Sequence, residues 1–303
     1  MHYIWHYYIA GEAFENIPEK LKEYNIPCEI SRMASNPNIF ANVIFEIEET
    51  HPNFQEVLDF LPSKTDTSLY ADVPENLVAI QHYPVYSNEE LRSAKWLSVR
   101  SSFRKVDPCN WEQLQKPSCI VRTNRLGVPI GRHDGESGEY IIKGPIKWGT
   151  RHFASVVYGE HGLFCDDFAK EILQNNQVNG IDFRPVFKKS TGEPVENIFR
   201  LANTFTVPDG AMVGLEYTND YECEHCGMKM IHMSDGRCRF GINVSRIPSD
   251  VDFCRTLPLF SPENPPVCAG ALILISQKMY RVIMDNHLNR ALWFEPIEVV
   301  NSL

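Results

Sequence analysis

The start of the chain alternates between strand-like and helix-like hydrophobic patterns, from His2 to about Pro74. Strand patterns occur in HYIWHYYI, PCEISRMAS, NIFANVIFEIEE and the short run SLYADV. Helical spacing occurs in PEKLKEYN, within Phe14–Asn25, and in HPNFQEVLDFL. The order βαββαβ predicts a ferredoxin-like domain over residues 1–80. That fold carries many unrelated functions, so it does not by itself assign one.

Residues 81–303 are predicted to form a second α+β domain built on a repeated strand-helix-strand unit. The segments 163–186 and 274–297 align without a gap at an offset of 274 − 163 = 111. Asp166 and Ser276 stand where helix N-caps belong, and both exit strands carry a proline at the same place. The apolar helix positions expected to face the core are Phe168, Ile172, Leu173, Met279, Ile283 and Met284. This pattern predicts an internal duplication.

Ahead of the repeats, SNEELRSAKWLSVRSSF reads as a helix that begins after Ser87, with Glu90 completing a capping box. After the first repeat, Thr191-Gly192 predicts a turn that leads into a further strand. The glycine-rich run RLGVPIGRHDGESGEYI predicts a long loop or a hairpin.

Between the two repeats lies the sequence Cys223-Glu224-His225-Cys226-Gly227, which has the form of a zinc knuckle. The glycine permits the positive φ that turns backbone amides toward the thiolates. A closed zinc site needs four ligands, and one CxxC supplies two of them. We take His232 and Cys238 as the leading additional ligands. The other candidates are His225, Cys28, Cys254 and Cys268.

Metal binding and a metal-free pair of thiols both remain open for this knuckle. A thioredoxin-like redox role fits less well, because glycine and methionine follow the second cysteine instead of a helix. A second polar group, His133, Asp134 and Glu136, lies in the 132–136 loop. These residues suggest either an active-site loop or, as we favour, polar turn residues at the surface. No phosphate-binding loop, dinucleotide fingerprint, nucleophile elbow or HExxH motif occurs, so the residues assign no catalytic site.

Composition narrows the class of protein. A hydrophobic content of 43% with 11% aromatic residues is typical of a globular chain. A formal net charge of −10 argues against non-specific binding to nucleic acid or to anionic membranes. No apolar run is long enough to span a bilayer, the start does not resemble a signal peptide, and nine scattered cysteines favour a reduced, cytoplasmic protein. The acidic positions that could form a binding surface, or be ordinary solvated side chains, are Glu46, Glu48, Glu49, Asp166, Asp167, Asp250 and Asp252.

Three stretches resemble a known family. CEHCG, then IPSDVDFCRT with the motif Pro248-Ser249-Asp250-Val251-Asp252-Phe253, then ALWFEP, are similar to the bacterial double-CxxCG-motif proteins. The resemblance covers about Leu114 to Leu303. The family has two CxxCG motifs, and where the first is expected this chain offers only Cys28 followed by Glu-Ile-Ser.

The resemblance implies an immunity protein that binds and neutralises the cognate toxin of a contact-delivered toxin system, without catalysis. An acidic surface suits that role, because many toxin domains are basic and complementary charge speeds capture. The alternatives from other classes are an enzyme that uses the 132–136 loop or the Cys223/Cys226 pair, and a zinc-ribbon adaptor that binds nucleic acid. Net charge disfavours the adaptor.

Overall fold

A computed structural model defines the fold, which is mixed α+β with sheets dominating, and the predicted α+β class is therefore confirmed. The residues that it describes are 2–9, 13–32, 41–48, 50–60, 78–110, 122–123, 129–130, 139–156, 162–208, 211–213, 221–222, 229–232, 241–261 and 270–300. Within these ranges, no helix is long and apolar enough to cross a membrane. The chain forms two compact units, made mainly of residues 1–87 and of residues 88–303, where the sequence predicts a boundary at residue 80.

The first unit has the element order βαββαβ. Its elements are β1 (His2–Ile9), α1 (Ala13–Glu23), β2 (Cys28–Arg32), β3 (Ala41–Glu48), α2 (Phe54–Phe60) and β4 (Val78–Val85). The sheet order is β2-β3-β1-β4, with every neighbouring pair antiparallel. The predicted closing strand SLYADV lies outside the described residues, and the fourth strand of the sheet is Val78–Val85 instead.

Alternation along β3 separates the two faces of this sheet. One face packs with both helices into a buried cluster, which includes Ile17, Leu21, Val43, Phe45, Ile47 and Val57. Between those positions, Glu46 and Glu48 are exposed and Ile44 is half-buried. Because side chains alternate sides along a strand, Ile44, Glu46 and Glu48 share the face away from the helices.

The second unit begins with a short helix. Its elements up to the turn at residues 189–193 are α3 (Asn88–Ser93), β5 (Trp96–Ser101), β6 (Arg104–Val106), β7 (Arg122–Thr123), β8 (Pro129–Ile130), β9 (Ile141–Ile142), β10 (Phe153–Val156), β11 (Leu163–Cys165), α4 (Asp167–Asn175) and β12 (Ile181–Lys188). The long helix predicted after Ser87 is wrong. Only α3 is helical, and the rest of that stretch is the strand β5, held between two other strands.

The remaining elements follow that turn. They are β13 (Pro194–Asn203), β14 (Thr206–Val207), β15 (Met212–Val213), β16 (Tyr221–Glu222), β17 (Lys229–His232), β18 (Gly241–Asn243), a 3₁₀ turn (Val244–Arg246), β19 (Phe253–Ser261), β20 (Gly270–Ser276), α5 (Gln277–Asp285) and β21 (Leu292–Val300). The turn lies where Thr191-Gly192 predicts one, and Gly192 has φ +72°.

The strands of the second unit form two large sheets and the small β7-β8 pair. One sheet has the order β6-β10-β11-β13-β12-β9. The other has the order β15-β18-β21-β5-β20-β19-β17-β16, with β14 beside β19. One buried cluster takes side chains from both sheets and from both α4 and α5, so the two sheets share a core.

The predicted helix caps are confirmed. The Asp166 side chain accepts a hydrogen bond from the backbone N–H of Ala169, and the Ser276 side chain accepts one from Met279. These caps are 276 − 166 = 110 positions apart, so the gapless offset of 111 is wrong for the helices. It does hold for the exit strands, because the loop before β21 has one more residue than the loop before β12.

Most of the residues expected to face inward do so, but Phe168 is 50% exposed. Its helix begins at Asp167, which puts Ala169 and Leu173 on the buried stripe and turns Phe168 outward. In α5 the corresponding stripe contains Met279 and Ile283, both fully buried.

Candidate functional site

The knuckle residues Cys223, Cys226 and Cys238 lie outside the described residues, as does His225. His232 is the last residue of β17. The strands on either side of the knuckle pair antiparallel, with Glu222 opposite Lys229, so residues 223–228 connect the two strands of a hairpin. Within the described ranges, no group of three or more His, Cys, Asp or Glu side chains is placed to hold a metal. The zinc site therefore stays a prediction.

Two further cysteines considered as ligands are described, and both environments disfavour the thiolate that a metal requires. Burial raises the pKa of the half-buried Cys28, in β2. Burial also raises the pKa of Cys254, in β19, to about 12. Cys268 lies outside the described residues, and so do His133, Asp134 and Glu136 of the 132–136 loop.

The acidic candidates fall into two groups. Glu46, Glu48, Asp167 and Asp250 are exposed, and Glu49 lies outside the described residues. Asp166 and Asp252 are only 6% and 7% exposed, which corrects the expectation that they contribute to an acidic surface. Each of these two carboxylates instead occupies the centre of a small polar cluster.

The first cluster lies at the start of α4. One carboxylate oxygen of Asp166 accepts the Ala169 N–H at 2.8 Å, and the other lies 2.8 Å from His152 Nδ1. The His152 ring also contacts the Phe168 ring, with centroids 5.0 Å apart. A carboxylate that orients an imidazole also occurs in general-base sites.

The second cluster lies at the start of α5. Asp252 Oδ1 accepts the Ser276 hydroxyl at 2.6 Å, while Oδ2 accepts the Asn179 N–H and the Lys278 ammonium, each at 3.0 Å. Lys278 also donates to the backbone carbonyl of Gln177. The cluster thus joins the start of α5 to the loop that follows α4.

The two clusters occupy matching places. His152 and Asp252 each precede a strand, and the backbone carbonyl of each accepts the N–H of the N-cap residue, at 3.2 Å for Asp166 and 2.8 Å for Ser276. Both clusters therefore attach a helix start to the residue that precedes a strand. The N-caps are recognisable in sequence, but their partners are not, because the contact is non-local.

The outer face of the first unit's sheet is the described surface that best fits the predicted partner. Glu29 in β2 is opposite Ile44, which places it on the same face as Glu46 and Glu48. All three glutamates are exposed. The Thr50 hydroxyl donates to the exposed Glu48 carboxylate at 3.2 Å. We call Glu29, Glu46 and Glu48 the acidic sheet face.

Comparisons of the chain with protein-family models, with curated proteins and with solved structures found no match.

Proposed function

We propose that this protein is a non-catalytic immunity protein that binds a cognate bacterial toxin and neutralises it by stoichiometric association. The observation that carries the proposal is the acidic sheet face, three exposed glutamates on one side of a sheet in a chain of net charge −10. The resemblance of CEHCG, IPSDVDFCRT and ALWFEP to the double-CxxCG proteins supports the same role.

The chemistry of such binding is electrostatic. A basic toxin domain is drawn to an acidic face by complementary charge, which raises the association rate more than it slows dissociation. Glutamates on a sheet also keep a fixed spacing, since neighbouring strands lie about 4.8 Å apart. The partner is accordingly a basic protein, and neither nucleic acid nor an anionic membrane suits this charge.

The proposal includes two finer assignments of fold. The first unit is assigned as ferredoxin-like, on the support of its βαββαβ order and the sheet order β2-β3-β1-β4. The segments 163–186 and 274–297 are assigned as copies of one unit. Their helix caps and the partly buried pair Phe183 and Phe294 support that assignment. Zinc at the knuckle, with Cys223, Cys226, Cys238 and His232 as ligands, remains part of the proposal.

Co-expression with the product of the adjacent gene tests the function. We expect that product to be toxic alone and harmless when this protein is abundant, with the two proteins forming a 1:1 complex. Substitution of Glu29, Glu46 and Glu48 by lysine should slow association at least tenfold and restore toxicity. Raising the salt concentration should slow association of the unaltered pair.

A matched control reverses three exposed glutamates of the second unit, Glu171, Glu193 and Glu196, and changes net charge equally. This variant should still protect if the acidic sheet face is the docking surface. Equal loss in both variants would assign the effect to net charge alone. A toxin that remains active beside abundant, folded, unaltered protein would reject the immunity role.

A further inference from the structure

The two large sheets of the second unit repeat one order of strands. The first reads β6-β10-β11-β13-β12-β9, and the second contains β14-β19-β20-β5-β21-β18. In both series the outer pairs are parallel, and the three inner pairs are antiparallel. The correspondence thus extends well beyond the strand-helix-strand segments.

The register agrees between the second and third strands of the two series, which are β10 and β11 in the first and β19 and β20 in the second. Phe153 of β10 pairs with Cys165, and Phe253 of β19 pairs with Ile275. Both phenylalanines are fully buried in the shared core. At the neighbouring parallel pair, β6 places Arg104 opposite Ser155, while β14 places Thr206 opposite Arg255. Phe253 and Arg255 of β19 each come 100 positions after their counterparts Phe153 and Ser155 of β10, since 253 − 153 = 255 − 155 = 100.

The far ends of the two series agree as well. Ile141 of β9 pairs with Phe187, and Gly241 of β18 pairs with Glu298. The offsets are 241 − 141 = 100 and 298 − 187 = 111, the second being the offset seen in the exit strands.

The second unit can be divided into a first half, β5 to β12, and a second half, β13 to β21. The first large sheet takes its central strand, β13, from the second half, and the second large sheet takes its central strand, β5, from the first half. In the first sheet Phe199 of β13 lies opposite both Cys165 and Pro185. In the second sheet Leu97 of β5 lies opposite both Ile275 and Pro296. Pro185 and Pro296 are the matching prolines of the exit strands, so β5 and β13 hold equivalent positions in opposite sheets.

After β5 and after β13, the chain crosses from one large sheet to the other. From β5, which lies in the second sheet, the chain continues into β6 beside β10 of the first sheet. From β13, which lies in the first sheet, it continues into β14 beside β19 of the second. Each crossing begins with a matching hydrogen bond, from the Ser102 N–H to the Ala291 carbonyl and from the Thr204 N–H to the Gly180 carbonyl, each at 2.9 Å.

We infer that the second unit is an intertwined tandem duplication, in which β5 to β12 and β13 to β21 are two copies that exchange their first strands. Each copy completes the sheet of the other, so neither half has a whole sheet without its neighbour. This inference does not depend on the immunity role, and it enlarges the repeat from a strand-helix-strand segment to the whole unit.

The duplication also assigns a counterpart to the cysteine knuckle. The hairpin β7-β8, with Arg122 opposite Ile130, matches the hairpin β16-β17, with Tyr221 opposite Met230. The chain between β7 and β8 reads Asn-Arg-Leu-Gly-Val over residues 124–128, with a glycine but no cysteine. The position equivalent to the knuckle in the first half is therefore 124–128 and not Cys28.

Engineered disulfides test the strand exchange. Ser98 of β5 lies directly opposite Glu295 of β21, and directly opposite positions in antiparallel strands have Cβ atoms about 5 Å apart. The variant S98C/E295C should therefore form a disulfide. If each half kept its own first strand, Ser98 would take the place of Arg200, which lies opposite Arg184. The variant S98C/R184C should then form the disulfide instead.

A protease site in the exposed turn 189–193 makes the outcome visible on a non-reducing gel. After cleavage, the disulfide of S98C/E295C joins the two fragments, whereas a disulfide in S98C/R184C stays within the first fragment. The cleaved parent, treated alike, shows the background from native thiols. A link in S98C/R184C, or no link in a folded S98C/E295C protein, would overturn the exchange.

The unaltered chain gives a second measurement in case a double variant fails to fold. The amides of β5 should be as protected from hydrogen exchange as those of β20 and β21, because they belong to one ladder. Rapid exchange in β5 beside protected β20 and β21 would also overturn the inference.

Discussion

The starts of α4 and α5 are each attached to the residue before a strand, but through different side chains. At α5 the carboxylate of Asp252 accepts three hydrogen bonds, from Ser276, Lys278 and the backbone of Asn179. At α4 the carboxylate is on the N-cap itself, Asp166, and its side-chain partner is His152. The acidic group lies before the strand at α5 and on the helix N-cap at α4, and in both places it takes part in joining a helix start to the residue before a strand.

The two carboxylates also differ in how far along the chain their contacts reach. Asp166 caps its own helix and contacts His152, the residue before β10. Asp252 also holds the loop after α4, through Asn179 and through Lys278 to Gln177. Loss of Asp252 therefore affects both halves, whereas loss of Asp166 affects mainly one.

The largest expected effect is that of Asp252→Ala. Removing the carboxylate leaves the partly buried Asn179 N–H and Ser276 hydroxyl without their acceptor and breaks the ion pair with Lys278, so the free energy of unfolding should fall by about 3 kcal/mol. Asp166→Ala, the matched change in the other half, should cost about 1–2 kcal/mol, the usual value of an N-cap. Urea unfolding of both variants measures the difference. Equal losses would contradict the distinction between the clusters.

The loops after the two helices form a second matched pair, Gly180 with φ +93° and Ala291 with φ +70°. A Cβ on Gly180 would lie 2.4 Å from the backbone oxygen of Phe253, so Gly180→Ala should destabilise by about 2 kcal/mol through strain and collision. Ala291→Gly should instead stabilise by about 0.5 kcal/mol, by relieving the left-handed alanine. Thermal unfolding measures whether each variant is more or less stable than the parent. A Gly180→Ala variant as stable as the parent would contradict the predicted collision with Phe253.

A smaller effect distinguishes Cys254 from Ala154, its counterpart at an offset of 254 − 154 = 100. Burial raises the pKa of Cys254 from 9.0 to about 12, so the unfolded thiol ionises before the folded one. Stability from this group is intact below pH 9 and declines above it, by about 1 kcal/mol between pH 9 and 10. Cys254→Ala should remove that part of the decline. The measurement is urea unfolding of both proteins at each pH, and an unchanged slope would contradict the prediction.

The sequence predicted best where structure is set by neighbours along the chain. The N-caps Asp166 and Ser276, the turn at Gly192 and the α+β class all follow from local patterns, and the structure contains them. The offset of 111 equals the spacing of the exit strands, since β12 begins at residue 181 and β21 at residue 292. It missed the shift of one residue at the helices, because similar apolar residues at both offsets give similar matches.

The sequence failed where distant segments decide the structure. The run WLSVRS follows a well-formed helix start and continues its pattern, yet it becomes β5 because β20 and β21 provide hydrogen-bond partners on both sides. Likewise, nothing near Asp252 in sequence identifies Asn179 or Lys278 as its partners. Charge alone does not distinguish the buried Asp166 and Asp252 from the exposed Glu46 and Glu48.

The exchange of strands between the halves is tested most directly by partner exchange after cleavage in the turn 189–193. Cleaved protein carrying a heavy-isotope label is mixed with unlabelled cleaved protein under native conditions, and mixed pairs are followed by native mass spectrometry. Because the sheet of each fragment contains one strand of the other fragment, the fragments can separate only when the unit unfolds. We therefore predict that mixed pairs form no faster than global unfolding, whose rate is measured in parallel. Mixed pairs that form much faster, while both fragments keep their folded circular dichroism, would show two complete halves in surface contact and contradict the account.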